Sequence, residues 1–132
     1  MFERHGYQAT HVGAGSYNGV AVVAQHPIDE IRHSGDLGDE HLDREPRMAT
    51  CIARTPTPVR VVSVYVPHGR TVDHWHYEYK IAFLNALAEQ VRRWLARDTH
   101  LIVAGDINVA ATNSDVFHPD AFKDSTHVTP PE

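Results

Sequence analysis

Between Asp73 and Arg97 the chain contains neither Gly nor Pro, and Tyr77, Ile81, Leu84, Ala88, Val91 and Leu95 recur at spacings of three and four. That period predicts one long amphipathic helix, with Phe83, Leu87 and Trp94 widening its apolar stripe. Asp73 is placed to cap its start, and Arg92, Arg93 and Arg97 complement the negative end of the helix dipole. On either side lie apolar, β-rich runs: Val59 to Val66, with Val59, Val61, Val62 and Val64, and then residues 100–105. Strand, long helix, strand is a crossover unit, right-handed if its strands are parallel, and the sequence leaves their sense open.

Two more strands follow from the same reasoning. Met48 to Arg54 is separated from Val59 by Thr55-Pro56-Thr57-Pro58, which suits a tight reversal and predicts an antiparallel hairpin. Gly19 to Ala24 reads as a compact strand stopped by Pro27, after a polar opening from Gly6 to Asn18. The fold class expected is therefore α+β. Asp29 to Glu45, with Gly35 and Gly38, holds seven acids and two Arg, so it carries the whole formal charge of -5 and leaves the rest of the chain neutral. It is expected to be a solvated surface connection. No basic stripe of the kind that marks a simple DNA-binding module is present. Cys51 is the single cysteine, which excludes a disulfide within the chain and fits a reducing compartment. No apolar run approaches the roughly 18 residues of a membrane helix, so a cytoplasmic protein with no membrane partner is expected.

Chemistry is concentrated at strand ends. Leu101-Ile102-Val103-Ala104 reads as a strand packed on both faces, and it runs through Gly105 into Asp106 and Asn108. Residues two apart in an extended segment point the same way, so a carboxylate and an amide can address one ligand there. A turn in which both merely bond the backbone is the alternative. Tyr65 ends the preceding strand in the same manner, with Pro67, His68 and Gly69 after it. Eleven His are present, yet none stands at zinc-ligand spacing, and His74 and His76, two apart at a helix start, diverge. The Gly13-Ala14-Gly15-Ser16 stretch lacks the preceding strand that a nucleophile elbow needs, and no Lys follows its glycines to make a phosphate loop. A tyrosyl hydroxyl, a carboxylate and an amide, Tyr65, Asp106 and Asn108, instead suit phosphoester hydrolysis assisted by a divalent cation.

The ordered set Tyr17-Asn18-Gly19-Val20-Ala21, Ser63-Val64-Tyr65-Val66-Pro67-His68-Gly69, Asp73-His74 leading to Tyr79-Lys80, Gly105-Asp106-Ile107-Asn108-Val109-Ala110, Asp115-Val116 and Thr126-His127-Val128 through Glu132 resembles the exodeoxyribonuclease III family. The resemblance spans nearly the whole chain. It implies the endonuclease/exonuclease/phosphatase fold, a four-layer sandwich of two sheets flanked by helices, and magnesium- or manganese-dependent cleavage of double-stranded DNA at abasic sites and 3′ ends. Carried over, Asp106 matches the carboxylate that orients or activates the attacking water, and Asn108 the amide that contacts the scissile phosphate. Both are implied at the metal. Tyr65 matches a tyrosine that hydrogen-bonds near the same phosphate, and Arg47 a basic residue on the substrate side. His68 also stands on the substrate side, but departs from the Asn or Gln usual there.

Other family features have no match: an opening strand bearing Asn, a strand ending in a metal-binding Glu, and closing Asp and Asp-His motifs. Residues 1–132 are therefore expected to be one truncated domain, a partial α/β sandwich, with little hydrolytic rate by itself. Two other readings stand beside this one: a phosphoesterase of the same superfamily acting on other esters, and a non-catalytic fragment.

Overall fold

A computed structural model describes residues 2–15, 17–33, 37–98, 100–122 and 125–132. Ser16 and Gly35, which the sequence reading used, lie outside them. Among the described residues, six strands and two α-helices follow in the order β1 (Gln8–Ala14), β2 (Tyr17–Ala24), β3 (Ile28–His33), α1 (Glu40–Asp43), β4 (Met48–Ala53), β5 (Val59–Tyr65), α2 (Trp75–Arg97) and β6 (Leu101–Asp106). β1 and β2 form an antiparallel pair, and the larger sheet has the order β3-β4-β5-β6.

The β4–β5 hairpin is antiparallel, with Met48 opposite Val64 and Ala53 opposite Val59, as the two prolines between them predict. The crossover through α2 makes β5 and β6 parallel, which settles the sense the sequence left open. Alternation along the strands then assigns the two faces of the sheet. Met48, Val62 and Val64 pack with Phe83, Leu87 and Trp94 of α2 in the main core. The opposite face of β4 carries the small side chains Ala49, Cys51 and Ala53, and β2 lies against β4 and β5. The result is mixed α and β: two stacked sheets with a helix over one of them, part of a four-layer sandwich. Cys51 is buried, and burial pushes its thiol up from the ordinary range.

Several expectations need correction. The opening segment is not irregular, because Gln8–Ala14 pairs with β2. The acidic segment is not simply a solvated connection either, because Ile28–His33 pairs with β4 as an edge strand and Glu40–Asp43 forms a helical turn. β6 is not packed on both faces: it is the last strand of its sheet, and Ile102 is 49% exposed. The cap of α2 is His74, whose Nδ1 accepts from the His76 amide at 3.0 Å, and not Asp73. The buried stripe of α2 is rotated to Lys80, Phe83, Leu87 and Trp94, which leaves Leu95 at the surface.

One glycine fixes how β5 and β6 end. Gly105 has φ +143°, and a Cβ there would stand 1.9 Å from the Val64 carbonyl oxygen. No side chain fits that approach. The two strand ends therefore meet backbone to backbone immediately before Asp106.

Candidate active site

Parallel pairing places Tyr65 opposite Asp106 at the carboxyl ends of β5 and β6. Paired residues share a face, so both point toward the β1–β2 side of the larger sheet. The chain beyond each strand stays attached to the other: the Val66 amide donates to the Asp106 carbonyl at 2.9 Å, and Asn108 Nδ2 donates to the Val66 carbonyl at 2.9 Å. The structure thus brings Tyr65, Asp106 and Asn108 to one edge of the fold.

Asn108 is held from several sides. It adopts a left-handed conformation, φ +52°, in which its amide donates to Asp106 Oδ1 at 3.1 Å. Its carbonyl accepts from Lys80 Nζ at 2.6 Å and from His127 Nδ1 at 2.5 Å. With one Nδ2 hydrogen spent on Val66, the side chain still offers a second N–H and the Oδ1 acceptor. The Asp106 side chain is exposed, and its second carboxylate oxygen is open to a ligand. Asp106, Asn108, Asp115, Phe122 and His127 line a shallow cavity of about 470 Å³. An adjoining one of about 320 Å³, lined by His68, Arg70, Thr71 and Ser125, shares Phe122 and His127 with it.

Arg47 packs against the Tyr65 ring. It is 3% exposed, its Nε donates to Glu45 at 2.5 Å, and its guanidinium lies 4.9 Å from the centroid of the Tyr65 ring. The Tyr65 amide donates to the Arg47 carbonyl at 2.8 Å. Arg47 thus braces the tyrosine, and the cation over the ring fixes where its hydroxyl goes.

His68 is exposed at the rim. Its Nδ1 accepts from the Arg70 amide at 3.1 Å, which leaves the proton on Nε2 facing His127 Nε2 at 3.2 Å. His127 Nδ1 donates to the Asn108 carbonyl, so the two rings link the rim of the site to Asn108. Burial first, then the nearby His127 and Lys80, lower the His68 pKa from its ordinary value.

Magnesium and manganese are hard cations that accept one or two protein carboxylates and complete their shells with water and phosphate oxygens. The exposed Asp106 carboxylate and the Asn108 Oδ1 fit as a partial donor set of that kind. Among the described residues no group of three or more His, Cys, Asp or Glu gathers to hold a metal ion. No helix among them is long and apolar enough to cross a membrane.

Sequence reasoning reached the strand-end residues but assigned no role to Lys80, His127 or Glu132. The available signal was periodic: Lys80 stands in register with Phe83, Leu87 and Trp94, where a charge is unexpected.

A profile described as the endonuclease/exonuclease/phosphatase family matches residues 3–131. Three solved structures superpose on 98% of this chain. The 3′ phosphatase NExo from Neisseria bound to a product DNA hairpin has a TM-score of 0.87 at 26% identity. A 3′-5′ exonuclease, NExo from Neisseria meningitidis, has 0.86 at 27%. An AP endonuclease from Archaeoglobus fulgidus has 0.86 at 26%. In each case the match covers 48% of the other chain, so this chain spans about half the length of the structures it resembles.

Proposed function

As this chain belongs to the endonuclease/exonuclease/phosphatase family, we propose that it is part of one domain of a divalent-metal-dependent DNA phosphodiesterase of the exodeoxyribonuclease III type, acting at abasic sites and 3′ ends. The observation that carries the proposal is the parallel register of Tyr65 with Asp106, with Asn108 tied across both strands.

Asp106 orients a water against the phosphorus and draws off its proton, so the new P–O bond forms as the bond to the leaving sugar oxygen breaks. Asn108 donates its second Nδ2 hydrogen to a phosphoryl oxygen, and the Tyr65 hydroxyl donates to the same group. Asp106 and Asn108 would hold a magnesium or manganese ion, which would supply positive charge to the phosphoryl oxygens. His68 at the rim offers a hydrogen bond to the phosphate, and Arg70 beside it supplies positive charge.

Cleavage of a duplex bearing one abasic site, in magnesium, tests this directly. Slow hydrolysis is expected, because the described residues offer one well-placed carboxylate. Asp106→Asn is expected to lower it by about 100-fold or more. Parent protein that cleaves no faster than the variant overturns the role of Asp106. Similarity to a 3′ phosphatase favours a second reading, removal of a terminal phosphate. A 3′-phosphorylated hairpin in the same assay distinguishes the two by which substrate turns over faster.

A further inference from the structure

Lys80 is the one residue of the inner face of α2 that carries charge, and its side chain has no solvent exposure. Neither has the side chain of Glu132, its ion-pair partner. A buried ion pair is weak evidence for stability, because apolar residues of similar volume commonly do as well. What an apolar pair cannot do is hold backbone groups.

Half of the pair's further contacts are of that kind, and the rest reach the side chains of Thr126, His127 and Thr129. The Lys80 ammonium has three hydrogens. They face Glu132 Oε1, the Asn108 carbonyl at 2.6 Å and Thr126 Oγ1 at 3.2 Å. Glu132 in turn accepts from the His127 amide at 2.7 Å, the Thr129 amide at 3.1 Å and the Thr129 hydroxyl at 2.8 Å. Thr126 Oγ1 lies within hydrogen-bonding distance of the His68 carbonyl, 3.1 Å away. Gly69 closes over the pair with φ +88°; a Cβ there would stand 2.9 Å from Lys80 Cδ and 2.6 Å from Thr126 Oγ1. Three loops, those after β5, after β6 and at residues 126–132, are thereby fastened to one charged centre. Two residues gripped by it, Asn108 and His127, are non-glycine residues at positive φ. Such conformations persist where the surroundings over-determine them.

We propose that Lys80 and Glu132 are positioning residues, which hold the Asn108 backbone so that its side-chain amide and the Asp106 carboxylate face one ligand. This rests on the reading of Asp106 and Asn108 given above. The pair touches no substrate and acts through the Asn108 carbonyl and the His127 amide.

The test uses the 132-residue chain carrying Lys80→Met with Glu132→Gln, which removes both charges together and avoids stranding either one. Hydrogen exchange followed by NMR should show the Asn108 amide exchanging about tenfold faster or more, with Cys51 and Val62 in the sheet unchanged. Titration with Mn²⁺ should need about tenfold more ion to broaden the Asp106 and Asn108 signals. Asn108 exchange within about twofold of the parent overturns the proposal. So does acceleration that is equal at Asn108, Cys51 and Val62, because the pair then serves stability alone. Asp106→Asn is the control for the underlying reading: if it leaves the Mn²⁺ titration unchanged, the metal-facing assignment falls, while the exchange comparison still decides the role of Lys80.

Discussion

The two ends of the larger sheet each bury a basic side chain, and they use it differently. At the start of β5, Arg60 is 1% exposed; its Nε donates to Asp98 at 2.5 Å and its Nη2 to Glu30 at 3.0 Å. Those contacts tie the end of α2 and the edge strand β3 to the sheet, side chain to side chain. Both acids retain a route to water, and Glu30 is 56% exposed. At the other end Lys80 and Glu132 are sealed, and half of their further partners are backbone groups of loops. The lesson is that a charge used to brace elements tolerates exposure, whereas a charge used to set loop conformation is shut away from water and filled donor by donor.

The largest expected effect breaks the comparison if it fails. Lys80→Met alone leaves the Glu132 carboxylate buried and unpaired, and should cost about 3–5 kcal/mol in urea unfolding. Arg60→Met leaves acids that can hydrate, and should cost about 2 kcal/mol. Equal losses would mean that the two ends do the same work.

Acid should separate the ends next. Contacts with Lys80, His127 and Thr129 outweigh burial and hold the Glu132 carboxyl at about 2, against an ordinary 4.5. A depressed carboxylate contributes stability that is complete above its unfolded value and is lost as pH falls from there through the folded one. The pair should therefore lose about 3 kcal/mol between pH 4.5 and 2. Thermal melts across that window should be flatter for the Lys80→Met, Glu132→Gln protein. Asp98 is lowered too, chiefly by its hydrogen bond from Arg60, so its share disappears over the same acidic side and persists in that variant.

The smallest effect sharpens the contrast. Glu30→Gln should change stability by less than about 1 kcal/mol, and the parent should lose that increment in high salt. A larger cost would show that the exposed acid braces the β3 edge more firmly than its accessibility suggests.

How much of this was legible depends on what each segment buries. β4, β5 and α2 announce themselves because they bury continuous or periodic apolar faces. β1 and β3 do not: Thr10 is the one fully buried side chain described in β1, and β3 has none, so neither shows a hydrophobic period. β6 misled because its four apolar residues look like a two-sided strand, while its place at the sheet edge leaves Ile102 uncovered. The positions of Tyr65 and Asp106 were readable because strand ends expose polar residues at a predictable phase. Asn108, by contrast, lies beyond β6 in a left-handed turn, where that phase no longer applies and both the Asp106 and Asn108 side chains bond backbone groups. The Lys80–Glu132 pair was not readable, since its members are 52 positions apart in sequence and only folding makes them neighbours. Arg47 was readable as basic but not as the brace beneath Tyr65.

Gly105 has a consequence of a different sort. Side-chain packing usually sets strand separation, and packing relaxes when neighbours are trimmed or warmed. Where Gly105 meets the Val64 carbonyl the spacing is set by hard backbone contact, so Tyr65 and Asp106 are gauged by a mechanical stop. Substitutions in the core beneath should soften the sheet long before they alter the gap between those two side chains.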